Sequence, residues 1–205
     1  RGTIEKHGQP EVFVTDPKKG LRGLKKVLQL ESEPRTIEGV DIAHLGGSQT
    51  VASLVQFIDG LPFKPGYRRF KINEVKGVDD FRSIHEVVGR RFQRLSKQHE
   101  LFPDILLIDG GKGQLNMATS ALRDLGLAYI PVIGLAKRLE EVFVPGNPNA
   151  QVLHRQSPGL FLLRRIRDEA HRFAISFQRD KRNKSMLESP LLSIKGIGHK
   201  KLEKL

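Results

Sequence analysis

The stretch DILLIDGGKGQL, Asp104 to Leu115, decides the fold. Its apolar run Ile105 to Ile108, bounded by Pro103 on one side and glycines on the other, reads as a short strand buried on both faces. Such a strand belongs inside an α/β sheet with helices over both surfaces. Asp109 then stands at the strand's C-terminal end, where open α/β sheets place their ligands. The glycines that follow do not make a P-loop, because Lys112 is followed by Gly113 and Gln114 rather than by Ser or Thr, and their spacing does not fit a dinucleotide fingerprint. What remains is a glycine turn opening a helix, about Gln114 to Leu125, with Lys112 placed where a phosphate could dock.

Outward from this strand, three strand-like runs precede it: TIEGVDIAHL, TVASLVQFID and YRRFKI. Their short polar connections suggest an antiparallel meander. VDDFRSIHEVVGRRFQRL then switches to helical spacing, with Phe81, Ile84, Val87 or Val88, Phe92 and Leu95 apolar and Asp79 or Asp80 as N-cap. After the second helix come a strand at PVIGLAK, a hairpin around EVFVPGNPNAQVLH and a long helix from LFLLRRIRDEAH onward. Leu162, Ile166, Ala170, Phe173 and Phe177 form the apolar stripe of that helix. The order is β-β-β-α-β-α-β, then a hairpin and a helix. Residues 1–34 read as a linker or the edge of a neighbouring domain, since the leucines of LRGLKKVLQL are too few to specify a helix; Pro34 marks the boundary.

Two hundred and five residues suffice for one medium domain with a real core. The first residue is Arg1, which suggests a piece of something longer. With no cysteine, disulfides and thiolate metal sites are excluded, a reducing cytosolic setting fits, and carboxylates and seven histidines remain as possible ligands. No apolar run reaches the roughly 18 residues of a membrane span, and no signal-peptide pattern opens the chain. The net charge of +12 points to a polyanion, nucleic acid first among them; a solubilising surface or an acidic protein partner is the alternative. Phe161 to Leu205 carry 12 Lys+Arg against 5 Asp+Glu, so the cationic face includes the C-terminal quarter.

Three polar residues stand out. Asp41 lies inside the first strand between Val40 and Ile42, and a carboxylate there needs a partner; a structural Arg or Lys would suffice for it alone. Asp109 repeats the oddity on a second strand. If their two strands are neighbours, the carboxylates would repel one another and call for a hard divalent cation, Mg²⁺ or Mn²⁺, with waters and a substrate phosphate completing the shell. His171, on the last helix, shares a face with Arg164, Arg167 and Asp168 and becomes a candidate metal ligand, or a group that orients or activates water, through that company. Further on, LLSIKGIGHKKLEKL places Gly196-Ile197-Gly198 between Lys195 and Lys200–Lys201, a turn able to meet a phosphate; a helix C-cap is the plainer reading.

Taken together, VDIAH, ASLVQF, YRRFKI, DDFRSI, DILLIDGGKGQL, RIRDEAHRFAI and IKGIGHKKLEKL resemble the C-terminal half of the UvrC family, incision subunits of the bacterial nucleotide excision repair nuclease. The resemblance runs from about Arg35 to the end. It implies an RNase H-like endonuclease domain at 35–185, a mixed sheet flanked by helices, followed at 186–205 by the first half of a helix-hairpin-helix tandem. It also implies Asp41, Asp109 and His171 as catalytic and metal-holding residues with Mg²⁺ or Mn²⁺, and a further catalytic acid in Asp79-Asp80, with Asp80 favoured. Arg68, Arg69, Lys112, Lys195, Gly196, Gly198 and Lys200 would hold DNA. The implied partners are lesion-bearing double-stranded DNA and a UvrB–DNA complex, with no membrane and no small-molecule cofactor, and the implied reaction is the incision 5′ to a bulky lesion. Ala43 departs from the family's usual serine, and the second helix-hairpin-helix, the N-terminal nuclease and the main UvrB-binding module are expected outside this stretch. A non-catalytic nucleic-acid-binding module, or a sibling RNase H-like nuclease acting on junctions or RNA, are the rival readings.

Overall fold

The computed structural model describes residues 16–45, 49–72, 79–136 and 140–187. A seven-stranded mixed sheet forms its centre, ordered β3-β2-β1-β5-β6-β7, with β4 also paired to β2. The strands are β1 (Thr36–Leu45), β2 (Gln49–Ile58), β3 (Leu61–Pro62), β4 (Arg68–Lys71), β5 (Ile105–Asp109), β6 (Val132–Leu135) and β7 (Val142–Phe143). β1 runs antiparallel to β2 and parallel to β5, and β5 runs parallel to β6. The expected meander and the buried central strand are both present. The expected hairpin shrinks to β7 plus one bridge between Val142 and Gln151. Asp59-Gly60, with φ of 51° and 77°, forms the two-residue turn into β3, a hairpin signal that the sequence reading passed over.

Helices α2 (Asp80–Lys97) and α3 (Lys112–Asp124) cover one face of the sheet, and α1 (Pro17–Val27) and α4 (Pro158–Leu187) the other. Alternation along the strands assigns the faces: Val40, Leu106 and Ile108 pack with α2 and α3, whereas Ile37, Ile105 and Leu107 pack with α1 and α4. Leu162, Ile166, Ala170 and Phe173 of α4 turn inward as the stripe predicts; the side chain of Phe177 lies outside the described residues. No described helix is long and apolar enough to cross a membrane.

Two findings correct the sequence reading. Residues 17–27 are helical, capped by Asp16, whose carboxylate accepts from Lys18 N at 3.0 Å, and they join the core of the sheet domain. Leu21 and Leu24 are buried, and glycines make much of the remaining contact: a Cβ on Gly23 would stand 2.8 Å from Gly159 N. Backbone meets backbone at this crossing, which an apolar count cannot register. Phe81, expected in the buried stripe of α2, is half exposed and lies over Gly113 instead.

The two helical layers are tied to the strands by buried polar groups. On the α2 side, Arg91 Nε and Nη2 donate to Glu38 at 3.1 and 2.6 Å, both side chains being almost fully buried, and Gln56 Nε2 donates to Glu38 at 3.3 Å. On the α4 side, Ser53 Oγ donates to the Ala170 carbonyl at 2.8 Å. At the opposite end of the sheet, Asp104 accepts from the backbone of Arg35 and Thr36 at 2.7 and 2.8 Å, pinning the start of β1 to the approach of β5.

Candidate active site

The register pairs Val40 with Ile108, so Asp41 and Asp109 are the next residues along two adjacent parallel strands. By alternation both belong to the α4 face. Asp41 is 3% exposed, and the partner its burial demands is His171, whose Nδ1 lies 3.1 Å from Asp41 Oδ2.

The sequence builds this contact in two places. Gly39 precedes Asp41 by two residues on the same face, and a Cβ there would come within 2.5 Å of Ile166 Cγ2; only glycine lets α4 lie this close to β1. Ser53, directly across from Asp41 in β2, anchors the carbonyl of Ala170, the residue before His171. The histidine is therefore aimed by two fixed points in the turns of α4 that lead up to it.

Asp79 and Asp80 divide two tasks. Asp79 is the N-cap of α2, accepting from Arg82 N at 3.0 Å, with Arg82 Nε also 3.5 Å from its carboxylate. Asp80, in the first turn, lines a cavity of about 310 Å³ together with Asp41, Asp109, Gly110, Gly111 and Gln114. His44 holds Asp80: Nε2 lies 2.7 Å from Oδ1, and Nδ1 lies 3.1 Å from Thr50 Oγ1. With Nε2–H donating to the carboxylate, Nδ1 is left to accept from the threonine hydroxyl. In the sequence His44 is only the last residue of VDIAH, with nothing local to single it out.

The glycine loop now has a packing reason. A Cβ on Gly113 would meet the Phe81 ring at 2.3 Å, and one on Gly110 would meet the Gln114 side chain at 2.9 Å. Gln114 Oε1 accepts from Gly111 N at 3.2 Å, so the helix start satisfies part of its own donor set. Lys112, the first residue of α3, is exposed beside it.

The UvrC RNase H endonuclease domain family matches residues 25–175, which include every residue of this cavity. The chain belongs to that family. Among relatives, the UvrABC system protein C of Gloeobacter violaceus is 49% identical over 193 residues, 92% of this chain and 31% of that protein. That of Salinibacter ruber is 46% identical over 188 residues, 90% of this chain and 30% of the relative. The chain thus spans under a third of the length of these two relatives. Among solved structures, Endonuclease V from Streptomyces avermitilis aligns with a TM-score of 0.44 at 14% identity, over 74% of this chain and 84% of that one. Endonuclease V from Bacillus subtilis aligns at 0.40 and 16%, over 71% and 83%.

In this UvrC domain the donor chemistry suits a hard cation. Among the described residues no group of three or more His, Asp or Glu side chains is drawn together as a finished cage. Two neighbouring carboxylates whose shell is completed by water and substrate oxygens are the ordinary arrangement for Mg²⁺, so Asp41 and Asp109 fit such an ion without a third side chain. His171 spends Nδ1 on Asp41, which leaves Nε2 for any further role.

The residues expected on DNA are placed differently from one another. Arg68 folds back, with Nη1 donating to the carbonyls of Pro65 and Tyr67 at 2.7 and 2.8 Å. Arg69 stands opposite Ser53, in the same cross-strand row as Asp41, with its guanidinium 4.4 Å from the Phe173 ring centroid and Nη2 donating to Ser176 at 2.9 Å. Lys195, Gly196, Gly198 and Lys200, with the expected helix-hairpin-helix, lie outside the described residues.

Proposed function

We propose that this UvrC domain is a metal-dependent endodeoxyribonuclease that cuts one strand of double-stranded DNA 5′ to a bulky lesion in bacterial nucleotide excision repair. The observation that carries the reading is the pairing in space of Asp41 and Asp109, brought to one level of the sheet beside a histidine on α4 and a third acid on α2. A polyanionic substrate agrees with the net charge of +12.

Asp41 and Asp109 would hold Mg²⁺ or Mn²⁺. Such an ion, when bound, acidifies a water and offsets charge growing on the phosphoryl oxygens. His171 keeps Asp41 oriented through Nδ1, and its second ring nitrogen would serve proton transfer. Asp80, steadied by His44, supplies a third negative group for water or cation. Lys112 and Arg69 contribute backbone contacts without base preference, as an enzyme that meets lesions in any sequence requires. The lesion-bearing duplex would be presented by a UvrB–DNA complex in the cytoplasm, and no small-molecule cofactor is invoked.

Nicking of supercoiled plasmid with Mn²⁺ tests the chemistry. Asp41→Ala and Asp109→Ala are expected to lose at least about 10²-fold in rate, since each removes one of the two donors that position the ion. Undiminished nicking by a folded Asp109→Ala chain would sink the mechanism. A parallel comparison of lesion-bearing duplex, four-way junction and RNA–DNA hybrid identifies the substrate.

A further inference from the structure

The row of α4 that ends in His171 begins with two arginines that the proposed chemistry does not use. Arg164 and Arg167 precede His171 by seven and four residues, so the three share one helix face, with the arginines about 10 and 6 Å back along the axis. Both are held by a single carboxylate. Glu140 makes a close ion pair with Arg164 Nη2 and reaches Arg167 Nη1 at 3.9 Å. Arg167 also donates through Nε to its neighbour Asp168 at 3.0 Å, an acid that is two-thirds exposed.

Three features set this cluster apart from an ordinary surface ion pair. The arginine side chains are only 24% and 15% exposed, so each guanidinium is held in place, Arg164 resting 5.7 Å from the Phe161 ring. Arg164 Nε is buried without a hydrogen-bond partner among the described residues, so one side of its donor fork is unfilled. Glu140 carries φ of 55°, a left-handed backbone that a non-glycine residue adopts only when its surroundings enforce it. It is also close to the cavity: Ala136, which lines it, donates its N–H to the carbonyl of Glu141 at 3.0 Å.

We infer that Arg164 and Arg167 form a subsite for a backbone phosphate of the DNA strand next to the scissile bond, and that Glu140 is a resident anion which this phosphate displaces. A phosphodiester presents the same forked pair of oxygens as a carboxylate and can use the donor that Glu140 leaves open. The inference rests on the nuclease reading for the identity of the ligand.

The test is equilibrium binding of the chain to an unmodified DNA duplex, followed by fluorescence anisotropy between about 50 and about 200 mM salt without divalent cation, the range over which phosphate contacts weaken most visibly. Arg164→Gln and Arg167→Gln are each expected to flatten the plot of log K against log[salt] by up to about 0.9, the slope of one phosphate contact. Arg164→Lys should keep the slope and lose affinity, because the charge stays while the fork is gone. Glu140→Gln should tighten binding several-fold. Unchanged slopes in folded Arg164→Gln and Arg167→Gln chains overturn the subsite, and equal or weaker binding by folded Glu140→Gln overturns the displacement. If Glu140→Gln does not fold, the arginine slopes decide. No divalent cation is present, so a failure of the metal chemistry, read by plasmid nicking, leaves this measurement standing.

Discussion

Asp80 Oδ1 accepts from His44 Nε2 at 2.7 Å, while the adjacent Asp79 gives its side chain to the first turn of α2. Two identical neighbours therefore have separable effects. Asp79→Ala is expected to cost about 1 kcal/mol in urea unfolding through loss of the cap, with plasmid nicking retained. Asp80→Ala should behave oppositely, with stability near that of the parent and nicking greatly reduced. A reversal of these two outcomes would transfer the catalytic assignment to Asp79.

Glu38 and Arg91 form a bidentate pair whose side chains are 1% and 6% exposed. Arg91→Met leaves a buried carboxylate with Gln56 as its remaining side-chain partner among the described residues and is expected to cost about 3–5 kcal/mol in chemical denaturation. The double replacement Glu38→Leu with Arg91→Met should recover much of that loss, since the stranded charge is removed along with its partner. Additive losses in the double variant would contradict this account.

Gly39 sets the distance between β1 and α4. Gly39→Ala forces about 1–3 kcal/mol of overpacking against Ile166 and should lift His171 from Asp41. The His171 ring resonances in NMR spectra, compared with those of Asp41→Asn, report whether the contact has loosened. An unaltered His171 environment in Gly39→Ala would show that α4 accommodates the methyl group elsewhere.

Tyr67 donates to Glu169 Oε1 at 2.9 Å, and its phenol is raised above the ordinary value of 10.0 by burial, with the charge of Arg172 acting in the opposite direction. The folded chain therefore keeps the proton where the unfolded chain begins to release it. Its contribution to stability is complete below pH 10.0 and falls as pH climbs through the folded value. Tyr67→Phe should flatten the alkaline limb of the stability profile, measured by unfolding midpoints on either side of that pH.

Much of the fold was legible because β1, β2 and β5 are short apolar runs and because α2 repeats at helical spacing. Asp41 was legible as a carboxylate set between Val40 and Ile42, Asp109 as one that closes an apolar run, and His171 through its row on α4. Long-range pairing was not legible. Nothing local to Glu38 announces Arg91, since the ion pair exists only after α2 folds over β1. His44 offers a plain polar position in a strand, and its meaning comes from Asp80 across the sheet end. The helix at 17–27 escaped notice because glycines make much of its contact, and such contacts are invisible to a count of large apolar side chains.

The crossing of Gly23 and Gly159 bears on how this domain can be handled. The family match begins at residue 25, partway through α1, after both of that helix's buried leucines. A version trimmed to that limit would lose the Asp16 cap, strip Gly20, Gly23 and Leu24 from the start of α4 and uncover Gly159 and Leu162 there. Poor yield or aggregation of such a trimmed protein would reflect the position of the cut. A preparation meant for crystallisation should begin upstream of Asp16.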